Sequence, residues 1–202
     1  MRKTLLIAVT ALLGLAPMAE ATPPDQILDN LQQLGFNFFW NEVNTSNGLI
    51  RDRQTGNFCS IASVGFGLSS ICIGIDHGWI TRAQGATRVQ TTLNTLWTLP
   101  QGTATTGTIG YKGFFYHFLN MSDGLRNGTS ELSDIDTALL LAGVLDAKQY
   151  FNGADPTETS IRTLADQIYQ RVDWTFFQNV SQNGLMIQWT DPAKPLNFSI
   201  DD

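Results

Sequence analysis

Apolar residues recur at helical spacing in five segments of the chain. These segments are residues 24–43, 60–76, 83–96, 133–145 and 156–172. In each, apolar side chains lie three or four residues apart, which places them on one face of a helix. The loops between the segments differ in length, and neither strand alternation nor βαβ spacing competes with this pattern. The sequence therefore predicts an all-α fold built of helical hairpins, with minor extended segments.

Local signals mark where several of these helices begin. Thr81 is placed to cap the third helix, and Ser133-x-x-Asp136 resembles a capping box at the start of the fourth. Asp155 followed by Pro156 is an N-cap with proline at the first helical position. These signals agree with the periodicity, so the helix starts are the firmest part of the prediction.

Two stretches do not follow the helical pattern. Residues 100–113 are rich in Gly and Thr, and the aromatic run 114–118 is better suited to an extended segment than to a solvated helix. Residues 174–202 contain short apolar runs and turn residues but no clear helix. Trp40, Trp79 and Trp174 lie on or beside helices, and we expect them to be core residues.

The N-terminus has the pattern of a secretory signal peptide. Arg2 and Lys3 precede an apolar run from Thr4 to Ala16, and residues 19–21 form a small-x-small cleavage site. A membrane anchor is the competing interpretation, but the run is shorter than the ~20 residues that a span needs. We therefore expect cleavage after residue 21, one domain over residues 22–202, and a periplasmic or secreted protein with no membrane contact.

The charge and the cysteine and histidine content argue against nucleic acid, a disulfide and a metal. The 202 residues carry a formal charge of −6, which offers no basic surface for nucleic acid. Cys59 and Cys72 are 13 residues apart, which is ~20 Å if one helix joins them, whereas a disulfide needs Cα atoms within ~7 Å. We expect both to be buried apolar side chains. With two histidines and two cysteines in no ligand spacing, neither a metal site nor a cofactor is predicted.

A cluster of acids at a helix start is the main chemical feature of the sequence. Nucleophile-elbow, P-loop and zincin motifs are missing, whereas residues 131–137 read Glu-Leu-Ser-Asp-Ile-Asp-Thr and aromatic residues occur in the loops. Carboxylates and aromatic rings together are typical of a carbohydrate site. The alternative is structural, because acids in the first turn of a helix are stabilised by its dipole, and Asp136 can be the capping-box partner of Ser133.

Five segments of the chain, in order, form a recognisable set of motifs. They are residues 60–66 (SIASVGF), 78–82 (GWITR), 113–119 (GFFYHFL), 131–143 (ELSDIDTALLLAG), and 161–174, which begins Ile-Arg and ends Arg-Val-Asp-Trp. These segments resemble the bacterial glycoamylase-like family. That family implies an (α/α)6 toroid in exported proteins, whose relatives include β-1,2-glucan hydrolases and the transglycosylating part of cyclic β-glucan synthases. A toroid needs twelve helices, so the five predicted here resemble its N-terminal half.

The resemblance also indicates site residues. It implies that Asp136 faces the cleft as a catalytic acid or as an acceptor for sugar hydroxyls. Tyr116, His117 and Glu131 are candidates for substrate binding, and Arg53 is a further candidate. Two structural alternatives stay open: His117 as a hydrogen-bonded structural histidine, and Arg53 as the partner of neighbouring surface acids.

The expected function is cleavage or rearrangement of a glucan by paired carboxylates. The family draws further acids from two segments, a Trp-x-Pro-Glu-like one and, downstream, a Tyr-x-Glu-like one; only the first has even an approximate counterpart here, in residues 189–192 with Asp191. A rival hypothesis is a truncated, non-catalytic remnant or glucan-binding module, whose exposed apolar helix faces lead to self-association. A third is that two chains associate to complete a toroid.

Overall fold

The computed structural model describes residues 23–179, 184–185 and 189–190. The predicted signal peptide and Asp191 lie outside the described residues. Within them the chain is mostly helical, as the periodicity predicted, with five helices and short strands. The helices are α1 (Pro24–Asn41), α2 (Ile61–Asp76), α3 (Arg82–Thr98), α4 (Asp134–Tyr150) and α5 (Pro156–Gln170).

The predicted helix starts are confirmed by the observed caps. Thr81 caps α3 in a complete capping box with Gln84, and the Asp155 carboxylate accepts hydrogen bonds from the backbone N–H groups of Thr157 and Glu158. Helix α1 ends at Asn41, before the predicted end near Val43. The chain then turns at Asn44, whose backbone N–H bonds to the carbonyl of Leu49.

The helices alternate between two layers. Helix α2 packs most extensively on α4, and α3 on α5, so that in both pairs a helix contacts the next but one along the chain. Gly65 and Gly143 lie where α2 and α4 cross, and a Cβ on Gly143 would come within 2.8 Å of the Gly65 Cα atom. Helix α1 packs on α2. This alternation is what successive helical hairpins produce when they stack side by side.

Short antiparallel strands connect the ends of the helices. One pair is β1–β4, a four-stranded sheet has the order β2-β3-β5-β8, and a second pair is β6–β7. The predicted extended run at 114–118 is confirmed as β3 and the start of β4, separated at His117. The strands are β1 (Phe58–Ser60), β2 (Gly110–Tyr111), β3 (Phe114–Tyr116), β4 (Phe118–Asn120), β5 (Leu132–Ser133), β6 (Gln178–Asn179), β7 (Gly184–Leu185) and β8 (Trp189–Thr190).

The core lies between the two helix layers and under the strands. Cys59 and Cys72 are both buried in it, as expected. Trp40 and Trp79 pack against the core. The expectation for Trp174 is wrong: this residue is 48% exposed, because it follows α5 in a loop, where its ring meets the core residue Phe114 edge-on.

An ion pair ties the start of α3 to the start of α5. The Arg82 guanidinium donates from Nε and Nη2 to the two carboxylate oxygens of Glu158 at 2.7 and 2.9 Å. It also lies 5.0 and 5.2 Å from the ring centroids of Tyr150 and Phe151. Glu158 in turn accepts a hydrogen bond from the Gly153 N–H at 2.6 Å. The Glu158 side chain is therefore buried with its charge compensated.

Some apolar side chains remain at the surface. Phe66 and Ile73 on α2 are 54% and 46% exposed, and Ile135 and Leu139 on α4 are 47% and 38% exposed. We call these four residues the α2–α4 apolar face. Helix α1 also carries exposed apolar residues, namely Ile27, Leu28, Leu31 and Leu34. No helix in the described part of the chain has the length and hydrophobicity needed to cross a membrane.

Candidate functional site

His117 occupies the junction of the strands and the two packed helices α2 and α4. It separates β3 from β4, and its backbone is held on both sides. Its N–H donates to the Glu131 carbonyl at 2.9 Å, and its carbonyl accepts from the N–H of Ile61, the first residue of α2, also at 2.9 Å. The polypeptide therefore fixes the imidazole beside the start of α4, where the predicted acids lie.

Two carboxylates flank the imidazole. The distance from His117 Nδ1 to Glu131 Oε1 is 2.6 Å, and that from Nε2 to Asp136 Oδ2 is 3.7 Å. The three side chains are 12–26% exposed, so each is shielded but reachable from solvent. We call His117, Glu131 and Asp136 the His117 cluster. The structure thus brings together three of the residues that the sequence indicated separately.

Ser133 connects this cluster to the helix cap. Its hydroxyl accepts a hydrogen bond from the Asp136 N–H at 3.1 Å and lies 2.6 Å from Asp136 Oδ2, to which it donates. The predicted cap at Ser133 is confirmed. It differs from a capping box in one bond: the Asp136 carboxylate accepts from the Ser133 hydroxyl instead of from the Ser133 backbone N–H. Asp136 therefore has a structural role at the start of α4.

The cluster shifts the pKa values of its members. Burial lowers the pKa of His117, but the hydrogen bond to Glu131 and the charges of Asp136, Glu131 and Asp52 outweigh it, so the pKa lies above its ordinary value of 6.5. The hydrogen bond from His117 holds the pKa of Glu131 below its ordinary value of 4.5. A protonated imidazole between carboxylates is the favoured state at mildly acidic pH.

Replacing His117 with glutamine should remove a pH-dependent share of stability. The raised His117 pKa means that protonation of the imidazole stabilises the fold. This contribution is fully present below pH ~6.5 and is lost as pH rises through the folded-state pKa of His117. The lowered Glu131 pKa stabilises the fold above pH ~4.5, and this contribution is lost as pH falls through the folded-state pKa. We expect the variant to be less stable by about 1.5 kcal/mol at pH 5.5, with a smaller difference at pH 9.

Urea unfolding of both proteins at the two pH values measures this difference. His77→Gln, the same change at the other histidine of the chain, is the matched control, because His77 stacks on Trp79 outside the cluster. A deficit for His117→Gln that is equal at both pH values, or larger at pH 9, would contradict the assigned ion pair.

An aromatic row leads from the cluster to Arg53. The Phe118 ring stacks on His117 at 3.7 Å between centroids, and Phe58 meets Phe118 edge-on at 5.0 Å. The Arg53 guanidinium lies 5.4 Å from the Phe58 centroid. Its side chain is 68% exposed and is 4.0 Å from the Asp52 carboxylate. Arg53 is therefore at the rim of the site, with both the surface-pair and the ligand-contact interpretations compatible with its position.

Tyr116 is not at the site surface, although it was a candidate for substrate binding. It is fully buried on β3, because this strand is covered on both faces and all three of its residues are enclosed. The Arg126 guanidinium stacks 4.3 Å from its ring centroid. A side chain with no accessible surface does not contact a polysaccharide, so the structure corrects this assignment to a core residue.

Sequence reasoning missed some of the residues around the cluster. Phe58 and Phe118 come together only because β1 pairs with β4 and places Ser60 opposite Phe118. Asp52 acts on His117 through its charge, from a loop 65 positions earlier in the chain. The single usable signal was the aromatic run that contains Phe118. Strand β8 also pairs with β5, with Trp189 opposite Ser133.

The described part of the chain contains no group of three or more His, Cys, Asp or Glu side chains arranged to hold a metal ion. The side chains of the His117 cluster themselves supply three kinds of chemical group. These are a proton on the imidazole, two carboxylates as proton acceptors or donors, and hydrogen-bond acceptors for hydroxyl groups.

Comparison with known proteins gives relatives of one kind. The chain is 29% identical over 185 residues to an exo β-1,2-glucooligosaccharide sophorohydrolase from Parabacteroides distasonis. A solved structure of a proposed glucoamylase from Bacteroides uniformis superposes with a TM-score of 0.71 at 26% identity. An endo-β-1,2-glucanase from Chitinophaga pinensis has the same fold, with a TM-score of 0.72 at 22% identity. No family model matches the chain.

The matches cover most of this chain but a minor part of each relative. They span 87% of the chain and 24% of the sophorohydrolase, 84% and 40% for the Bacteroides uniformis protein, and 86% and 42% for the Chitinophaga pinensis enzyme. The predicted resemblance is thereby confirmed. The chain is similar to a partial, N-terminal-like portion of bacterial glucoamylase-like and β-1,2-glucanase proteins.

Proposed function

We propose that this chain forms one side of a glycoside hydrolase site that acts on a β-1,2-linked glucan. The observation that carries the proposal is the His117 cluster, in which two carboxylates flank one imidazole at the start of α4. Glycosidic cleavage uses carboxylates as acid, base or nucleophile. The choice of linkage is supported by the names of the relatives.

Within this site we assign proton transfer to Asp136. Ser133 and His117 both contact its Oδ2 atom. We assign the other oxygen, Oδ1, to the sugar, because no described residue donates a hydrogen bond to it. Glu131 is bound to the imidazole, so we assign it to holding His117 in place. Because Glu131 is then engaged with the imidazole, glycosidic cleavage needs a second catalytic carboxylate from elsewhere in the protein.

The same proposal includes the architecture. We infer that α2 and α4 belong to the inner layer of an (α/α)6 toroid and that α3 and α5 belong to the outer layer. The alternating packing supports this assignment. So does the α2–α4 apolar face, which is where further inner helices would pack and remove apolar surface from water.

Export is part of the proposal as well. The N-terminal pattern of residues 1–21 supports secretion into the periplasm or medium, where a polysaccharide substrate is available. Mass spectrometry of the protein from the membrane-free extracellular or periplasmic fraction tests this directly. A mature N-terminus at residue 22 is the expected result, and an intact Met1 would contradict it.

Replacement of Asp136 with asparagine tests the function. We expect the rate at which the full chain releases reducing sugar from β-1,2-glucan to fall at least ~100-fold, because the amide neither donates nor accepts the proton. Asp146→Asn, the same change at an exposed position further along α4, is the matched control and should keep the parent rate. Retained cleavage in Asp136→Asn would overturn the assignment of this residue.

A second candidate function is binding of a glucan without cleavage. This function is favoured by the hydrogen bonds of the two acids: Glu131 is bound to His117, and Asp136 is bound to Ser133. Both carboxylates then have structural roles and do not take part in cleavage. In that case the parent protein releases no reducing sugar, while Asp136→Asn lowers the free energy of unfolding by a capping-sized ~1 kcal/mol.

A further inference from the structure

Two neighbouring cavities form a groove along the outer side of α3. The first has a volume of about 460 Å³ and lies between α3, Trp40 and Thr45. The second, of about 280 Å³, lies between α3, Ser46 and the first turns of α5. Thr91 lines both, so the cavities adjoin at that residue. We call this the α3 groove, and it shares no residue with the His117 cluster.

Most of the side chains that line the groove are neutral and polar, and the others are the apolar Trp40, Ala83 and Leu164 and the cationic Arg88. Among the described residues that line it none is acidic, although the chain has 18 acidic residues. The hydroxyls of Thr87 and Thr91 donate to the carbonyls of Ala83 and Thr87 at 2.9 Å, which leaves their oxygen lone pairs facing outward as acceptors. Gln90 and Asn94 add amide groups that both donate and accept.

Arg88 supplies fixed donors in the first cavity. Its guanidinium lies 4.3 Å from the Trp40 ring centroid, and Phe36 stacks on Trp40 at 5.9 Å. Nη1 donates to the Trp40 carbonyl at 3.3 Å. No carboxylate in the described part of the chain forms an ion pair with it, and burial lowers the pKa of Arg88 accordingly. The stack holds the guanidinium plane in place while its other N–H groups stay available.

We propose that the α3 groove is a second, non-catalytic binding site for a neutral oligosaccharide. Sugar hydroxyls both donate and accept hydrogen bonds, and the side chains of the groove offer donors and acceptors in a row along α3. Arg88, stacked on Trp40, is the one charged side chain among the described residues that line the groove. The first cavity alone is within the ~300–1,000 Å³ typical of small-molecule sites. That the oligosaccharide is a β-1,2-glucan rests on the proposed function.

Calorimetric titration with sophorotriose tests this proposal. The full chain carrying Asp136→Asn is used as the parent, so that the probe is not consumed. Thr91→Arg places a long side chain where the two cavities meet, and we expect it to weaken binding at least ~10-fold, the loss of about two hydrogen bonds. Thr163→Arg is the matched control, because Thr163 has the same hydrogen bond to the carbonyl four residues earlier but lies on α5 outside both cavities.

The outcomes separate this site from the catalytic proposal. Equal affinities for the parent and Thr91→Arg, or no binding by the parent, would overturn the groove. A Thr91-dependent affinity in a chain that cleaves no β-1,2-glucan supports the groove and contradicts the proposed function instead. If Thr91→Arg has a disturbed circular dichroism spectrum, Asn94→Ala replaces it. Asn94 is exposed, and we expect this change to weaken binding about 3-fold, with unchanged affinity again counting against the groove.

Discussion

Replacing Gly143 with alanine is expected to lower the free energy of unfolding by about 3 kcal/mol. The new Cβ would meet the backbone of Gly65 across the α2–α4 contact, with the Gly65 Cα atom 2.8 Å away. A backbone does not rotate aside as a side chain does, so the helices must separate and the packing between them must loosen. The better helix propensity of alanine, about 1 kcal/mol, offsets part of the strain.

Gly35→Ala is the matched control for this prediction. Gly35 is also inside a helix, but apart from its chain neighbours and the adjoining helix backbone no described atom lies within 4 Å of the position its Cβ would take. We expect this variant to be as stable as the parent or more stable by up to about 1 kcal/mol. Guanidinium unfolding of the three proteins gives the comparison. Similar stabilities for Gly143→Ala and Gly35→Ala would mean that α2 and α4 are not in backbone contact.

Replacing Arg82 with methionine is expected to cost about 3 kcal/mol at pH 7. The Glu158 side chain is only 6% exposed in the parent, and the change removes the cation that compensates its carboxylate. The expected cost is at the lower end for a broken buried pair, because the Arg82 side chain is itself 42% exposed. Lys148→Met removes the cation of an equally short ion pair with Asp166 and should cost less than about 1 kcal/mol, since the Asp166 carboxylate left behind is 47% exposed and stays hydrated.

This effect should depend on pH. The hydrogen bond from Arg82 holds the pKa of Glu158 below its ordinary value of 4.5. A lowered carboxyl pKa stabilises the fold above pH ~4.5, and this contribution is lost as pH falls through the folded-state value. The difference between parent and Arg82→Met should therefore shrink between pH 7 and pH 3.5. Unfolding curves at both pH values measure it, and a constant difference would show that lost packing dominates.

The helices could be predicted from the sequence because their signals are local. The caps at Thr81 and Asp155 act within one turn, and the apolar spacing of residues 61–76 reports directly on the buried face of α2. The end of α1 was less accurate, because the turn after it depends on contacts with Met121, whose carbonyl accepts from the side chains of Asn44 and Asn47.

The site was predictable only in part, for the same reason. Glu131 and Asp136 lie in one short segment, and His117 is in a neighbouring motif, so their sequence context indicated them. Strand pairing then decided what surrounds them: β3 is covered on both faces, which buried Tyr116, whereas the β1–β4 pairing brought Phe58 to Phe118. No local pattern reports whether a three-residue strand is covered on one face or two.

The backbone bonds on both sides of His117 also bear on the entropy of binding. The N–H and carbonyl of this residue are bonded to Glu131 and Ile61, and Phe118 stacks on its ring. Few backbone or ring rotations remain to be frozen when a ligand arrives. Preorganisation of this kind reduces the ordering cost of association, so more of the contact energy is retained as affinity.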